Sequence, residues 1–101
     1  MSPVWTGLAE LSGPRSHPVL EGYAGAFVWV GAQADSEEIF RDRVQAAFAQ
    51  EGLTLVELDQ TKEVSDPDEE SEAIDYIFQA ARKDPTLVAH DSFHLFRNQD
   101  A

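Results

Sequence analysis

The sequence predicts one α+β domain spanning residues 1–101: a two-layer sandwich with a four-stranded, mainly antiparallel sheet and two helices on one face. Three observations lead there. Two apolar, β-branched runs flank an amphipathic helical run between residues 23 and 59. A second amphipathic helical run follows, from residue 66 to residue 83. Further strand-like stretches lie at either end, so the order reads β-β-α-β-α-β.

The first strand is expected within Pro3–Leu11, where Val4, Trp5, Leu8, Ala9 and Leu11 recur and Gly7 weakens the pattern. Ser12-Gly-Pro-Arg-Ser-His-Pro18 is turn chemistry. Tyr23-Ala-Gly-Ala-Phe-Val-Trp-Val30 carries no charge and is rich in aromatic and β-branched residues, which favours a strand. Alternation puts Tyr23, Gly25, Phe27 and Trp29 on one face and Ala24, Ala26, Val28 and Val30 on the other. Both faces are apolar, so the strand is expected to be interior.

A helix is predicted next, capped by Asp35 with Glu38 three residues on. Phe40, Val44 and Phe48 form its apolar stripe, and Gly52 suits a left-handed helix stop. Leu53–Leu58 is the third strand, which Asp59–Val64 either prolongs or leaves. If the two strands lie parallel in one sheet, the helix between them makes a right-handed crossover. Asp66, Pro67 and Glu69 then form a strong helix start. Ala73, Ile74, Ile77, Phe78 and Ala81 make the buried stripe, Arg82 and Lys83 favour the helix end, and Pro85 stops it. Thr86–Phe96 alternates as a last strand, and Arg97–Ala101 reads as a frayed polar tail. In outline this order resembles ferredoxin-like sandwiches, a likeness of fold that implies no function.

Composition narrows the chemistry. The chain of 101 residues has 43% hydrophobic residues, enough for one core, and no cysteine. Disulfides and thiolate chemistry are therefore excluded. The first residues lack the basic-then-apolar pattern of a signal peptide, and no apolar stretch approaches the roughly 20 residues that span a bilayer. A cytoplasmic location is expected.

Net charge is −12, of which residues 1–50 contribute −3 and residues 51–101 contribute −9. Nucleic acid and anionic membrane both need basic surface, so neither is an expected partner. A basic protein is. From Glu57 to Asp75 there are nine acids against one base, Lys62. Glu63, Asp66, Asp68, Glu69, Glu70, Glu72 and Asp75 form the expected partner-binding patch. The plainer reading is a solvated helix start, with each acid contributing up to about 1 kcal/mol through the helix dipole.

No cofactor or metal is expected. Asp66–Ile77 fails as an EF-hand loop, because Ser71 stands where glycine is required and Ile77 where a bidentate acid is required. His90 and His94 lack the glutamate of His-Glu-x-x-His. On a straight strand they share a face with Ser92 but sit roughly 13 Å apart, too far for one metal. There is no nucleophile elbow around Ser92 and no phosphate loop among the glycines, so no catalytic residues are assigned.

The helices of a two-layer fold leave one sheet face bare. Tyr23, Phe27, Trp29, His90 and His94 are the residues expected on that face, covered by a second copy of the chain, by a ligand, or by the N-terminal segment with Trp5. The leading expectation is a non-catalytic interaction domain of the small inhibitor, immunity or adaptor type, acting through its acidic surface. The alternative is a ligand-binding or enzymatic domain with its site near Trp29, His90 and His94.

Overall fold

The computed structural model describes residues 3–14, 17–18, 20, 22–64, 72–91 and 93–96. Its elements are β1 (Val4–Ser12), β2 (Gly25–Gln33), α1 (Glu37–Gln50), β3 (Thr54–Val64), α2 (Glu72–Lys83), β4 (Ala89–His90) and β5 (His94–Phe96). They form one sheet in the order β3-β1-β2-β4, with β5 also paired to β2, and each pairing is antiparallel. The α+β class and the element order are as the sequence predicts. β2 and β3 both run against β1, so they are parallel to each other, joined through α1.

The β1–β2 ladder runs without a shift from Val4↔Gln33 to Ser12↔Gly25. That continuity fixes the faces. Trp5, Ala9 and Leu11 share one face with Ala26, Val28, Val30 and Ala32. Val4, Thr6, Leu8 and Glu10 share the other with Phe27, Trp29, Gly31 and Gln33.

The helices lie on opposite faces, which corrects the expected arrangement with both on one. Phe40 of α1 stacks on Trp5, with ring centroids 6.4 Å apart. Phe40, Val44 and Phe48 close the core over Ala9, Leu11, Ala26, Val28 and Val30. α2 sits on the far side. A Cβ on Gly31 would collide with Ile77 Cγ2, so only glycine lets the helix approach this closely. Gln33 Nε2 donates to the Ala81 and Arg82 carbonyls at 3.0 and 3.2 Å, satisfying oxygens left over in the last helical turn. Val4, Val64, Phe78 and Ala81 form a second, smaller cluster here. The physical reason is legible in β2. A strand apolar on both sides has surface for a helix on each, and one-face packing leaves half of it bare.

Helix ends follow local chemistry. Ser36, not Asp35, is the N-cap of α1, and its Oγ accepts from Ile39 N at 3.3 Å. At the other end, Leu53 N donates to Phe48 O and Gly52 N to Ala49 O. With Gly52 at φ +79°, this is a Schellman stop. The predicted start of the second helix at Asp66, Pro67 and Glu69 lies outside the described residues.

β3 continues through Asp59–Val64 and bulges twice against β1, between Thr6 and Leu8 and between Glu10 and Leu11. At the first bulge Gln60 takes φ 52°. A side chain on Gly7 would press Leu58 and Thr61 carbons at 3.1 Å, so the glycine that weakens the strand pattern is what lets the bulge close.

The predicted last strand is two short pieces. β4 pairs Val30↔His90 and β5 pairs Phe27↔His94. Between them the chain carries one residue more than β2 does. Asp91 manages the break: its N–H donates to Trp29 O at 3.1 Å, and its Oδ1 accepts from Trp29 N at 3.0 Å. A side-chain oxygen thus fills the place of a ladder carbonyl.

Candidate functional site

α2 covers the Val4, Thr6, Gly31 and Gln33 end of its sheet face. The other end is half-open. Two rows of side chains cross it by register: Asp59, Leu8 and Trp29, then Glu57, Glu10, Phe27 and His94. Glu57, Asp59 and His94 are exposed, Leu8, Glu10 and Trp29 half-buried, and Phe27 is 37% exposed. Three carboxylates on β1 and β3 therefore border an apolar strip of Leu8, Phe27 and Trp29.

Within that border Glu10 and Glu57 stand directly opposite each other. Facing like charges cost stability; Asp59 stands opposite Leu8, and Lys62, opposite Thr6, is the cation in the next row of this face. Such a surface favours a cation with an apolar body.

Of the residues expected to form the acidic patch, Glu63, Glu72 and Asp75 are among the described ones. Glu63 pairs with Trp5 and so falls on the α1 face of edge strand β3. Glu72 is exposed in the first turn of α2, on the opposite face. Asp75 is half-buried, and its Oδ1 has no hydrogen-bond partner among the described residues. Asp66, Asp68, Glu69 and Glu70 lie outside the described residues. The acids that do border the apolar strip include Glu57 and Asp59, counted in the acidic run, and Glu10, which stands far from it in sequence.

The expected sheet-face set divides. Phe27, Trp29 and His94 share the α2 side, while His90 faces α1, because the extra residue around Asp91 reverses the sense of alternation. His90 and His94 are thus separated by the sheet itself. Tyr23 precedes β2 and closes a turn, its N–H donating to Leu20 O at 2.8 Å.

His90 instead lines a cavity of about 310 Å³ with Ala47, Phe48, Glu51, Leu53, Val88 and Phe93. Its ring centroid is 5.0 Å from Phe93 and 6.3 Å from Phe48. Nδ1 donates to the Asp91 carbonyl at 2.8 Å. In the neutral ring that bond leaves Nε2 as an acceptor. Nearby, the His17 ring bonds the Glu51 carbonyl at the end of α1.

Among the described residues one carboxylate has shifted acidity. Thr86 donates to Asp84 Oδ1 through its hydroxyl at 2.7 Å and its N–H at 2.9 Å. These bonds stabilise the ionised form and hold the Asp84 carboxyl below the ordinary aspartate range. Among the described residues no group of three or more His, Asp or Glu side chains is placed to hold a metal ion. No helix among them is long and apolar enough to cross a membrane. No protein-family model, no curated protein and no solved structure matches the chain.

Proposed function

We propose that the chain is a non-catalytic protein-interaction domain that binds a basic partner, of the small inhibitor, immunity or adaptor type, in the cytoplasm. The observation that carries this reading is the half-open face on which Glu10, Glu57 and Asp59 border Leu8, Phe27 and Trp29. An apolar strip supplies contact area, and the acids supply orientation and a faster encounter with a positive surface. The net charge of −12 extends the same attraction over the whole molecule.

Affinity capture on immobilised protein, with identification of what is retained, tests the reading. Retained proteins should be basic, should leave at high salt, and should be lost from the Glu57→Lys/Asp59→Lys double variant. Retention indifferent to both salt and charge reversal would overturn it.

The cavity beside His90 supports a second reading as a small-molecule site. A volume of about 310 Å³ lies at the lower end of ligand pockets, and its walls are mainly apolar with few polar groups. The ligand would be a compact apolar molecule carrying a hydrogen-bond donor for His90 Nε2. A thermal shift with small phenols or indoles that disappears in His90→Ala supports this reading, and one that persists removes it.

A further inference from the structure

We infer that the half-open sheet face takes a basic amphipathic helix of the partner. The inference rests on the proposed reading as a partner-binding domain and names the shape of what is bound.

Three features lead to a helix. First, the surface is a sheet face, whose backbone groups are already paired within the ladders. A segment lying on it must satisfy its own N–H and C=O groups, and a helix does so internally. Second, α2 already occupies the same face over Gly31 and Gln33. Packing of a helix on this sheet is therefore already in use at the other end of the same face. Third, the sheet edge is poorly suited to the competing mode, strand addition. β3 is bulged twice against β1 and holds Gln60 in the left-handed region, which interrupts the row of groups that an added strand needs.

Charge gives the helix its chemistry. Leu8, Phe27 and Trp29 meet apolar residues recurring every three or four positions. Glu10, Glu57 and Asp59 meet Lys or Arg on one flank of that stripe. A second copy of this chain is disfavoured as occupant, because it would bring three carboxylates against three and a charge of −12 against −12. The opposed pair Glu10–Glu57 adds a distinctive signature. Removing one of its charges should stabilise the free domain and weaken the complex at once, which a purely structural role for Glu57 would not produce.

The test uses two peptides of about 18 residues, long enough to hold a helix on binding. Both have the same Leu and Lys content. One places Leu at helical spacing, and the other carries central prolines. Titration at low salt, circular dichroism of the complex and backbone amide shifts of the labelled protein are recorded.

The expected result is at least tenfold tighter binding of the helical peptide, with gained helicity and shifts centred on Leu8, Glu10, Phe27 and Trp29. Phe27→Ser and Glu57→Lys should each weaken it about tenfold or more, while Glu57→Lys raises the melting temperature of the free protein. Equal binding of the proline peptide, or shifts confined to the outer edge of β3, would overturn the helix and leave a basic partner standing. Binding of neither peptide would remove both. A dimer mass by light scattering that buries Phe27 would assign the face to a second copy and overturn the inference.

Discussion

The two faces of the sheet are built from one ladder and finished differently. On the α1 face Ala9, Leu11, Ala26, Val28, Val30 and Ala32 are fully buried, beneath Phe40, Val44 and Phe48 of one helix and the flanking Leu20, Leu53 and Phe93. On the α2 face the helix packs on Gly31 and Gln33, while Trp29 stays half-buried and Phe27 is 37% exposed. The difference lies in side-chain size. Alanine and valine leave room for Phe40 and Phe48 to settle over the strands. The other face has one glycine for one helix turn, and then large aromatics beside acids. One face is a core, and the other is half core and half surface.

The same deletion on the two faces gives the widest contrast. Phe40→Ala should cost about 3–5 kcal/mol, measured by urea denaturation, because the cavity opens among fully buried residues. Phe27→Ala, deleting a ring that is 37% exposed, should cost about 1 kcal/mol or less. Equal costs would mean that the second face is closed after all. Next in size, Gly31→Ala should cost about 1–3 kcal/mol by pushing Ile77 away. The same change on an Ile77→Ala background should cost less, a coupling that a double-mutant cycle reads directly.

Much of this was legible in the sequence, and the losses have specific causes. The alternation of β2, the stripes Phe40–Val44–Phe48 and Ile74–Ile77–Phe78–Ala81, and the Gly52 stop follow from local periodicity and glycine geometry. Ser36 displaced Asp35 as the cap because neighbouring polar residues offer competing caps at similar cost. The assignment of both helices to one face failed although its counter-signal was present: β2 is apolar on both sides. The candidate site was hidden for a different reason. Glu10 and Glu57 are far apart in the chain, and only the pairing register, with its two bulges, sets them opposite each other. No local pattern states that register.

Two smaller effects sharpen the contrast further. Asp91→Ala should cost about 1–2 kcal/mol by leaving the Trp29 N–H without its acceptor, and Asp91→Asn less, since the amide oxygen still accepts. Loss of amide-exchange protection at Trp29 in the alanine variant alone would identify the bond. Glu57→Lys should stabilise the free protein by a few tenths of a kcal/mol, by relieving the facing charges and pairing with Glu10. A destabilised variant would show that Glu57 is structural.

The smallest effect is a pH dependence at Asp84. Its acidity in the folded state is lowered by the Thr86 bonds. The stabilisation is therefore complete above the ordinary aspartate pKa and fades as pH falls through the lower folded value. Thr86→Val should flatten the stability profile only in that acidic window, read by thermal melts across the range, and leave neutral pH nearly unchanged.

The single surplus residue between β4 and β5 has a further meaning. It acts as an address for two histidines, sending His90 to one side of the sheet and His94 to the other. Closing the bulge without removing a residue, so that His94 stands opposite Ala26 instead of Phe27, would restore unbroken alternation and bring both imidazoles to the α1 side. Chemistry that this chain keeps apart is one register step away from being assembled, so the bulge at this point bears on which functions the scaffold can acquire.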